Sequence, residues 1–344
     1  MKRKALLIGG TGTISSAVTR LLSECEEWEV TLLNRGSKHD IPSHVKTIRG
    51  DIRSAEAGSL LAGKTWDVVV DFIAFTPEHI EKDFQLFADC THQYIFISSA
   101  SAYSKPLPSP FVTESTSLNN PYWAYSRNKA ACEDLLHRYQ REHGFPVTIV
   151  RPSHTYGEKS VPVAVHGKQG SWQVIKRMLE GKPVIVPGDG LSLWTLTHNS
   201  DFARAFIGLM GNVHAVGETY QVMSEEVLTW NQIHQTIADA LDVSFRPCYV
   251  PSTLLAMAPA YDFKGALLGD KANSVVFDTS KLRKAVPGYH ASMRFDQGVR
   301  NTLAYVMHHQ ECQSVDIEFD QWCDRVVEIM QEAKDCPNGI KMGL

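Results

Sequence analysis

The chain has 344 residues, 43% of them hydrophobic and 21% charged, so it has enough apolar material to fold around a core. At roughly 150 residues per domain, this length predicts two lobes. The formal charge of −4 disfavours a dedicated nucleic-acid binder or a binder of anionic membranes, because both normally carry a basic excess.

The cysteines and the first residues indicate a cellular compartment. The seven cysteines form no Cys-x-x-Cys pair, which is typical of reduced thiols rather than of disulfides or a zinc site. The apolar run Ala5-Leu6-Leu7-Ile8 is too short for the core of a secretory signal, and no run approaches the roughly 20 residues of a membrane span. We therefore expect a cytoplasmic protein with no metal site, no membrane segment and no nucleic-acid partner.

The first half of the chain alternates short apolar runs with segments of helical spacing. Predicted strands are Ala5–Ile8, Val30–Leu33, Val45–Ile48, Asp67–Phe72, Tyr94–Ile97 and Val147–Val150. The predicted helices of this half are Ile14–Cys25, His79–Ala88 and Tyr122–His143. Strands that alternate with helices in this way predict a parallel sheet covered on both faces.

After Pro152 the alternation weakens and helical spacing dominates. The predicted helices are Asp201–Met210, Trp230–Leu241, Phe295–His308 and Phe319–Ala333. The predicted fold is α/β, a Rossmann-type doubly wound parallel sheet with a smaller, mostly helical C-terminal substrate lobe. We assign residues 1–158 and 199–223 to a dinucleotide-binding domain, and residues 159–198 and 224–344 to the substrate-binding lobe. The amphipathic stretch beyond Gln310 is expected to pack on that lobe or to serve as a lid.

A glycine-rich segment, Gly9-Gly10-Thr11-Gly12-Thr13-Ile14-Ser15, stands between the first strand and the first helix. Glycines at such a turn let the backbone approach a pyrophosphate, and the helix N-terminus offers N–H groups to the phosphates. A glycine cluster alone is weak evidence, but the strand–glycine–helix order strengthens it. We expect the cofactor to contact Gly9, Gly12, Thr13 and Ile14. Ser15 takes a position that is normally glycine, a departure that could loosen the site.

The end of the second predicted strand bears on which dinucleotide binds. An acidic residue there would hold the ribose hydroxyls of NAD, but Asn34-Arg35 stands in its place, with Lys38 nearby. Arg35 can pair with a 2′-phosphate, which slightly favours NADP, whereas an Arg35 that only points to solvent would leave NAD equally suitable. Asp51-Ile52, after the third strand, either flanks the adenine or forms an ordinary turn.

Tyr125 and Lys129 lie four residues apart on a predicted helix, so their side chains share one face. A phenol is a poor base at pH 7 because its free pKa is about 10, and a neighbouring ammonium lowers that pKa. Tyr125 could then move a proton while a nicotinamide moves a hydride. Ser98-Ser99 closes the fifth strand, at the sheet edge where ligands bind, and Ser98, Ser99 and Ser101 cannot be ranked by position alone.

In this order the motifs resemble the extended short-chain dehydrogenases/reductases, also called the NAD-dependent epimerase/dehydratase family, over nearly the whole chain. The matching segments are Gly9–Ser15, Asp51-Ile52, Asp71–Ala74, Ile97–Tyr103, Tyr125–Glu133, Arg151–Gly157, Gly188–Gly190, Thr197–Asp201, Asp278–Lys281 and Phe295–Tyr305. The resemblance implies a catalytic set of Ser99, Tyr125 and Lys129. In this set Tyr125 is the general acid/base, and Lys129 also holds the nicotinamide ribose. It further implies that Ala74 lies beside the cofactor.

The resemblance also narrows the chemistry. Sugar-nucleotide 4,6-dehydratases of the family carry an Asp-Glu pair where this chain has Ala100 and Ser101, so dehydration is disfavoured. We expect an NAD(P)-dependent oxidoreductase or epimerase that acts on a hydroxyl or carbonyl of a sugar-like or nucleotide-sugar substrate. Candidate substrate contacts, each of which could equally be a packing residue, are Ser101, Trp123, His154, Trp172 and Trp194.

Two other functions stay open. Phe72–Tyr103 also resembles an atypical branch of the family that includes chloroplast stem-loop-binding proteins, some of which bind RNA. The intact Ser99, Tyr125 and Lys129 and the acidic pI disfavour that function. The other is a sensor that binds a dinucleotide without turnover. By resemblance, a homodimer through two helices is possible.

Overall fold

The computed structural model describes residues 2–36 and 41–335, and Lys38 lies outside them. The strands in this part of the chain are β1 (Arg3–Ile8), β2 (Trp28–Asn34), β3 (Lys46–Arg49), β4 (Val68–Asp71), β5 (Tyr94–Ile97), β6 (Phe111–Val112), β7 (Val147–Pro152), β8 (His154–Tyr156), β9 (Val184–Pro187), β10 (Leu193–Trp194), β11 (Leu196–His198), β12 (Thr219–Val222), β13 (Leu228–Thr229), β14 (Pro247–Val250) and β15 (Val276–Phe277).

The α-helices of the described residues are α1 (Thr13–Ser23), α2 (Ala57–Leu61), α3 (Pro77–Phe87), α4 (Ala124–His143), α5 (Trp172–Leu179), α6 (Asn199–Leu209), α7 (Trp230–Ala240), α8 (Ser252–Leu255), α9 (Ser280–Ala285), α10 (Phe295–His308) and α11 (Ile317–Asp335). A π-helix spans Lys264–Lys271. The predicted strands and helices are present, with ends that differ by at most about two residues. The short helices α2, α5, α8 and α9 were not predicted, because four to eight residues show too little periodicity.

Seven strands form one sheet in the order β12-β7-β5-β4-β1-β2-β3, and every neighbouring pair is parallel. The chain builds from β1 to β3 toward one edge and then returns to the other side of β1 with β4. Ile8 therefore pairs with Leu33 on one side and with Asp71 on the other. This reversal opens a crevice at the carboxyl ends of β1 and β4, where doubly wound sheets bind ligands. The predicted Rossmann-type fold is confirmed.

The central strands are almost wholly apolar because helices bury both faces of the sheet. Leu7 and Val70 face one core cluster, which also contains side chains of α1 and α6. Leu6 and Val69 face the other cluster, which contains side chains of α2, α3 and α4. Because these strands are buried on both sides, the loops at their carboxyl ends have a fixed base.

The chain divides into two compact units. Among the described residues, unit 1 comprises those within Met1–Tyr156, Thr195–Glu226 and Val276–Arg294. Unit 2 comprises those within Gly157–Trp194, Val227–Val275 and Phe295–Leu344. This division differs from the predicted one at 276–294, where β15 pairs with β6 and Leu282 is buried in a core cluster of unit 1. The function assigned to each unit stays a prediction.

Unit 2 is held by its own aromatic and ionic contacts. Trp194 stacks on Trp230 with ring centroids 5.6 Å apart. The buried guanidinium of Arg177 on α5 pairs with Asp320 and Asp324 on α11, at 2.6 and 2.7 Å. Helix α11 therefore packs on this unit as the sequence predicted for the stretch beyond Gln310, and the possibility of a lid stays a prediction.

No helix among residues 2–36 and 41–335 is long and apolar enough to cross a bilayer. The same residues hold no cluster of three or more His, Cys, Asp or Glu side chains that could bind a metal ion.

Candidate active site

The glycine-rich segment forms the turn from β1 into α1. Gly9 has a φ of +78°, and a Cβ at this position would lie 2.5 Å from Cγ2 of Ile73, so only glycine fits beside the β4 turn. Helix α1 begins at Thr13, and the first-turn amides of Thr13 and Ile14 have no intrahelical acceptor. Its first turn carries no acidic side chain. The turn therefore offers N–H groups and a positive helix end to an anionic diphosphate.

Ser15 fastens this loop instead of loosening it. Its Oγ donates to the carbonyl of Gly9 and accepts from the amide of Gly12, each at 2.8 Å, and the side chain is buried. Glycine at this position would lack both bonds. The sequence analysis expected a looser loop because the glycine motif reflects only the size of the side chain. In the structure, the Ser15 hydroxyl links Gly9 to Gly12.

The residues at the ends of β2 and β3 lie side by side at the sheet edge. Arg35 is exposed, and Oδ1 of Asn34 accepts from the amide of Gly36 at 2.9 Å. Asp51 is half-buried, and its Oδ1 accepts from the amide of Arg53 at 2.8 Å. Ile52 is buried in a core cluster, so a ligand could reach its backbone but not its side chain. The predicted cofactor residues after these strands are thus at the edge where the fold places a ligand.

Lys129 is buried in unit 1, with 1% of its surface exposed. Its Nζ donates to the carbonyls of Ala74 at 2.7 Å and Ile97 at 2.6 Å, and it lies 4.8 Å from the centroid of the Phe75 ring. Burial lowers the pKa of this ammonium to about 8. Two of its three N–H groups are used by the ends of β4 and β5, which leaves one for a ligand.

Tyr125 is half-buried, one helical turn before Lys129. The Lys129 Nζ lies 5.7 Å from the centroid of its ring. Trp123 and Phe75 flank the phenol, with ring centroids 5.1 and 6.5 Å from that of Tyr125. Phe75 is 42% exposed, and the sequence analysis missed it. Only the exposure of this large ring beside polar groups marks Phe75 as a candidate site residue, and exposure is not visible in a sequence.

Three serine hydroxyls connect the end of β5 to α4. Ser99 Oγ lies 2.9 Å from Ser101 Oγ, and Ser126 Oγ donates to Ser101 Oγ at 2.8 Å. Ser99 is half-buried, whereas Ser101 and Ser126 are buried. Ser101, predicted as a substrate contact, therefore uses its hydroxyl to position Ser99. Ser126 was missed, although it directly follows Tyr125 in the sequence.

A buried ionic cluster lies under these groups. Glu133 accepts from Arg151 at 2.6 Å and from the hydroxyl of Ser98, and Arg151 donates to the Tyr103 hydroxyl at 3.1 Å. Ser98 is therefore occupied by the cluster, which leaves Ser99 as the serine nearer to solvent. This arrangement distinguishes Ser98 from Ser99, which position in the sequence alone did not, and the catalytic role of Ser99 stays a prediction.

A second buried cluster holds the turn after β4. Arg53 donates to Asp71 at 2.5 Å and to Asp83 at 2.6 Å, and both carboxylates are fully buried. Asp71 also accepts from the amide of Ile73 at 2.6 Å, and Asp83 from the hydroxyl of Tyr94 at 2.6 Å. Burial and the charge of Asp71 raise the pKa of Asp83 well above its usual value. The cluster fixes the turn that carries Ile73 and Ala74.

The other predicted substrate contacts lie in different places. His154 is half-buried on β8 of unit 1. Trp172 and Trp194 belong to unit 2, where Trp172 is half-buried at the start of α5 and Trp194 is buried against Trp230. The ring of Trp194 is thus used in packing. Of the five candidates, Trp123 is the one that the structure brings against Tyr125.

Comparison with known sequences identifies relatives of several activities. The model of the NAD dependent epimerase/dehydratase family matches residues 5–222, more than half of the chain. The chain is 27% identical to the chloroplast stem-loop binding protein of 41 kDa b of Arabidopsis thaliana, over 70% of this chain and 63% of that protein. It is 28% identical to an uncharacterized UDP-glucose epimerase of Bacillus subtilis, over 62% of this chain and 60% of that protein. It thus spans less than two thirds of either relative.

Two further proteins resemble the chain over more of their length. The 2′-dehydrokanamycin reductase of Streptomyces kanamyceticus is 24% identical, over 83% of this chain and 80% of that protein. Among solved structures, the UDP-glucuronic acid 4-epimerase of Bacillus cereus, in complex with UDP-glucuronic acid and NAD, superposes with a TM-score of 0.70. It is 19% identical and covers 89% of this chain and 99% of that chain, a likeness that shows the fold.

Proposed function

The chain belongs to the NAD-dependent epimerase/dehydratase family, and we propose that it is an NAD(P)-dependent oxidoreductase or epimerase that acts on a sugar-like or nucleotide-sugar hydroxyl or carbonyl. The observation that carries this proposal is that Nζ of Lys129 donates to the carbonyls of Ala74 and Ile97 and lies 5.7 Å from the centroid of the Tyr125 ring. Ser99 follows Ile97 by two residues, at the end of β5. The relatives and structural neighbours include epimerases and a reductase, which supports the same range of reactions.

The residues of unit 1 fit a bound dinucleotide. The amides of Thr13 and Ile14 would bind its pyrophosphate, in a turn where Gly9 and Gly10 leave no room for side chains. Asp51 would accept from the adenine amino group. A bound nicotinamide accepts a hydride from a carbinol carbon or returns one to a carbonyl carbon. Lys129 would use its remaining N–H on the ribose beside that ring.

Tyr125 would move the proton that accompanies the hydride. When the substrate is oxidised, the phenolate oxygen of Tyr125 removes the proton from the substrate hydroxyl. When a carbonyl is reduced, the O–H of Tyr125 donates a proton to the carbonyl oxygen. The ammonium of Lys129 stabilises the phenolate, because an opposite charge nearby favours the ionised form. Ser99 would orient the reacting oxygen by a hydrogen bond, and Ser101 would keep Ser99 in place.

The proposal favours epimerisation or net redox over dehydration. Elimination of water needs a separate acid and base, and Ala100 and Ser101 stand where dehydratases of the family carry Asp and Glu. We also favour NADP over NAD, because the end of β2 offers the amide of Asn34 and the guanidinium of Arg35 where NAD would need a carboxylate. The homodimer stays a prediction.

The first experiment identifies the cofactor. Freshly purified protein is denatured, and any released dinucleotide is identified by mass spectrometry. An empty protein is titrated with NADPH and NADH. Released NADP(H), or tighter binding of NADPH, supports the proposal. Release of NAD(H) would show that the NADP assignment is wrong, and it would indicate an epimerase that keeps its cofactor bound. Binding of neither dinucleotide, together with salt-dependent RNA binding, would favour the stem-loop-binding function instead.

The second experiment tests the acid/base. Wild type and Tyr125→Phe are assayed against a panel of nucleotide sugars and keto sugars, with products followed by NMR and net redox by nicotinamide absorbance. Tyr125→Phe is expected to lower kcat by about 100-fold to 10,000-fold and to leave the Kd for the cofactor nearly unchanged. The control, Tyr122→Phe, alters an exposed tyrosine three residues away and should keep wild-type turnover. Wild-type turnover in Tyr125→Phe would refute the assigned mechanism.

A further inference from the structure

A chain of three serine hydroxyls runs from helix α4 to the end of β5, inside unit 1. Ser126 follows Tyr125 on α4 and has no exposed surface, and its Oγ donates to Oγ of Ser101 at 2.8 Å. Ser101 lies in the short 3-10 helix Ala100–Ala102, and its Oγ is 2.9 Å from Oγ of Ser99. The chain therefore connects the helix of Tyr125 to the serine that the proposed mechanism places beside the substrate.

The hydrogen bonds of this chain have one direction. A hydroxyl carries one O–H, and Ser126 donates its O–H to Ser101, so Ser101 is the acceptor in that bond. Within the part of the chain that the structure describes, the Ser101 hydroxyl has one further hydrogen-bond partner, Oγ of Ser99. The O–H of Ser101 therefore donates to Ser99, because the reverse direction would leave a buried O–H without an acceptor.

Ser99 receives a second hydrogen bond from the same residue. The backbone amide of Ser101 donates to Oγ of Ser99 at 3.2 Å. Both lone pairs of this oxygen are then occupied, and the O–H of Ser99 is the bonding capacity that remains. Ser99 is half-buried, whereas Ser101 and Ser126 are buried, so a ligand meets the chain at Ser99. Toward that ligand Ser99 is a donor and not an acceptor.

The backbone around Ser101 is held by bonds that do not involve Ser126. Nδ2 of the buried Asn120 donates to the carbonyl of Ser101 at 2.7 Å, and the amide of Ala102 donates to the carbonyl of Ser99 at 3.1 Å. Loss of the Ser126 hydroxyl would therefore leave the course of the backbone unchanged. It would release the direction of the remaining bonds, because Ser101 could then accept from Ser99.

We propose that Ser126 is a positioning residue of the reaction, which acts through Ser101 so that Ser99 always donates to the reacting oxygen of the substrate. The inference rests on the proposed function, which places that oxygen beside Ser99 and Tyr125. A carbonyl oxygen accepts this bond, and the bond strengthens as negative charge grows on the oxygen. A substrate hydroxyl that accepts from Ser99 keeps its own O–H for Tyr125, so the same direction serves oxidation and reduction.

The first measurement locates the hydroxyl hydrogens and needs no substrate. X-ray diffraction at ordinary resolution does not show them, so neutron diffraction from crystals of the deuterated full chain is used. We expect the deuterium of Ser126 to lie toward Ser101 and the deuterium of Ser101 to lie toward Ser99. A deuterium of Ser99 that lies between Ser99 and Ser101 would overturn the inference, whatever reaction the protein catalyses.

The second measurement is steady-state kinetics with a nucleotide sugar or keto sugar that the wild type converts. Ser126→Ala is expected to lower kcat about tenfold and to change KM by less than about twofold, because the bond from Ser99 is strongest in the transition state. Ser126→Cys keeps the side-chain volume with a weak donor and should show a similar loss. The matched control is Ser104→Ala, whose hydroxyl bonds to Ser117 outside the chain and whose loss should leave kcat unchanged.

A double variant tests whether Ser126 acts through Ser101. If it does, adding Ser126→Ala to Ser101→Ala should lower kcat further by less than about twofold. Full additivity of the two losses, or wild-type kcat in Ser126→Ala, would overturn the inference and leave the assignment of Tyr125 intact. A wild type that converts no sugar of the panel would instead overturn the proposed function, and with it the role of Ser126 in a reaction. If Ser126→Ala does not fold, Ser126→Cys carries the comparison.

Discussion

The carboxylate of Glu133 is bound by the guanidinium of Arg151, through Nε at 3.0 Å and Nη2 at 2.6 Å, in the interior of unit 1. The pair joins α4 to β7, one helical turn after Lys129. It therefore fixes the rotation of the helix that presents Tyr125 and Lys129 to the sheet edge. Glu133 and Arg151, which the sequence analysis named only as parts of matching segments, thus support the helix that carries the proposed catalytic residues.

Removal of Glu133 tests this support. We expect Glu133→Ala to lower the free energy of unfolding by about 3–5 kcal/mol, because it leaves the charge of Arg151 buried and unpaired. Urea unfolding followed by circular dichroism measures the change. The control, Glu142→Ala, lies exposed on the same helix and should change stability by less than about 0.5 kcal/mol. Equal losses in the two variants would show that the pair does not hold the helix.

The hydroxyl of Ser15 tests the loop that would receive the pyrophosphate. Ser15→Ala removes the bonds to Gly9 and Gly12, each contributing about 1 kcal/mol, so the loop becomes less ordered before binding. We expect the affinity for the preferred dinucleotide to fall about tenfold, as measured by quenching of intrinsic fluorescence. Ser23→Ala, at the far end of α1, serves as the control. A Ser15→Ala protein with wild-type affinity would mean that the glycines alone shape the loop.

Sequence reasoning recovered the parts of the fold that local patterns determine. Valine-rich β4 and the strand–glycine–helix start of the chain were predicted because burial on both faces and the need for a tight turn leave local marks. The shared face of Tyr125 and Lys129 followed from helical spacing. The acceptors of Lys129, the carbonyls of Ala74 and Ile97, are far from it in sequence and meet it only because β4 and β5 are neighbours.

The misses have the same physical origin. Arg49 lies beside Asn34 through the register of β3 against β2, which no local pattern sets. Ser101 lies where a substrate contact is plausible, yet tertiary packing buries it between Ser99 and Ser126. Residues 276–294 fall in unit 1, where β15 pairs with β6, a strand more than 160 residues earlier in the chain.

The buried ammonium of Lys129 predicts a pH dependence of turnover. Burial lowers its pKa to about 8, so the charge that we propose stabilises the Tyr125 phenolate is present below this pH and is lost above it. We expect kcat to fall as pH rises through about 8, in a profile measured with a substrate from the panel. Lys129→Arg should turn over more slowly but lack this fall, because a guanidinium keeps its proton at these pH values. A wild-type profile that stays flat between about pH 8 and pH 10 would contradict the role of the charge.

The cluster of Arg53, Asp71 and Asp83 predicts a pH dependence of stability. One guanidinium serves two buried carboxylates, and burial together with Asp71 raises the pKa of Asp83. A group whose pKa is raised in the folded state stabilises the protein fully when the pH is below the pKa of that group in the unfolded state, which is about 4. This contribution is lost as the pH rises through the pKa of the group in the folded state. The wild type should therefore lose stability at this site toward neutral pH.

Asp83→Asn should remove that loss, because an amide does not ionise and its oxygen can still accept from Arg53. The difference in unfolding free energy between Asp83→Asn and wild type should increase with pH, by at most about 1.4 kcal/mol per pH unit. Urea unfolding between about pH 5 and pH 8 measures it. Asp71→Asn is the contrast, since that carboxylate accepts from both Arg53 and the Ile73 amide, and its loss should destabilise the protein at neutral pH by about 3 kcal/mol or more. Parallel pH dependences of stability in wild type and Asp83→Asn would show that Asp83 is ionised in the folded protein throughout this range. In that case Arg53 would balance the charges of both Asp71 and Asp83 beside the turn that carries Ala74.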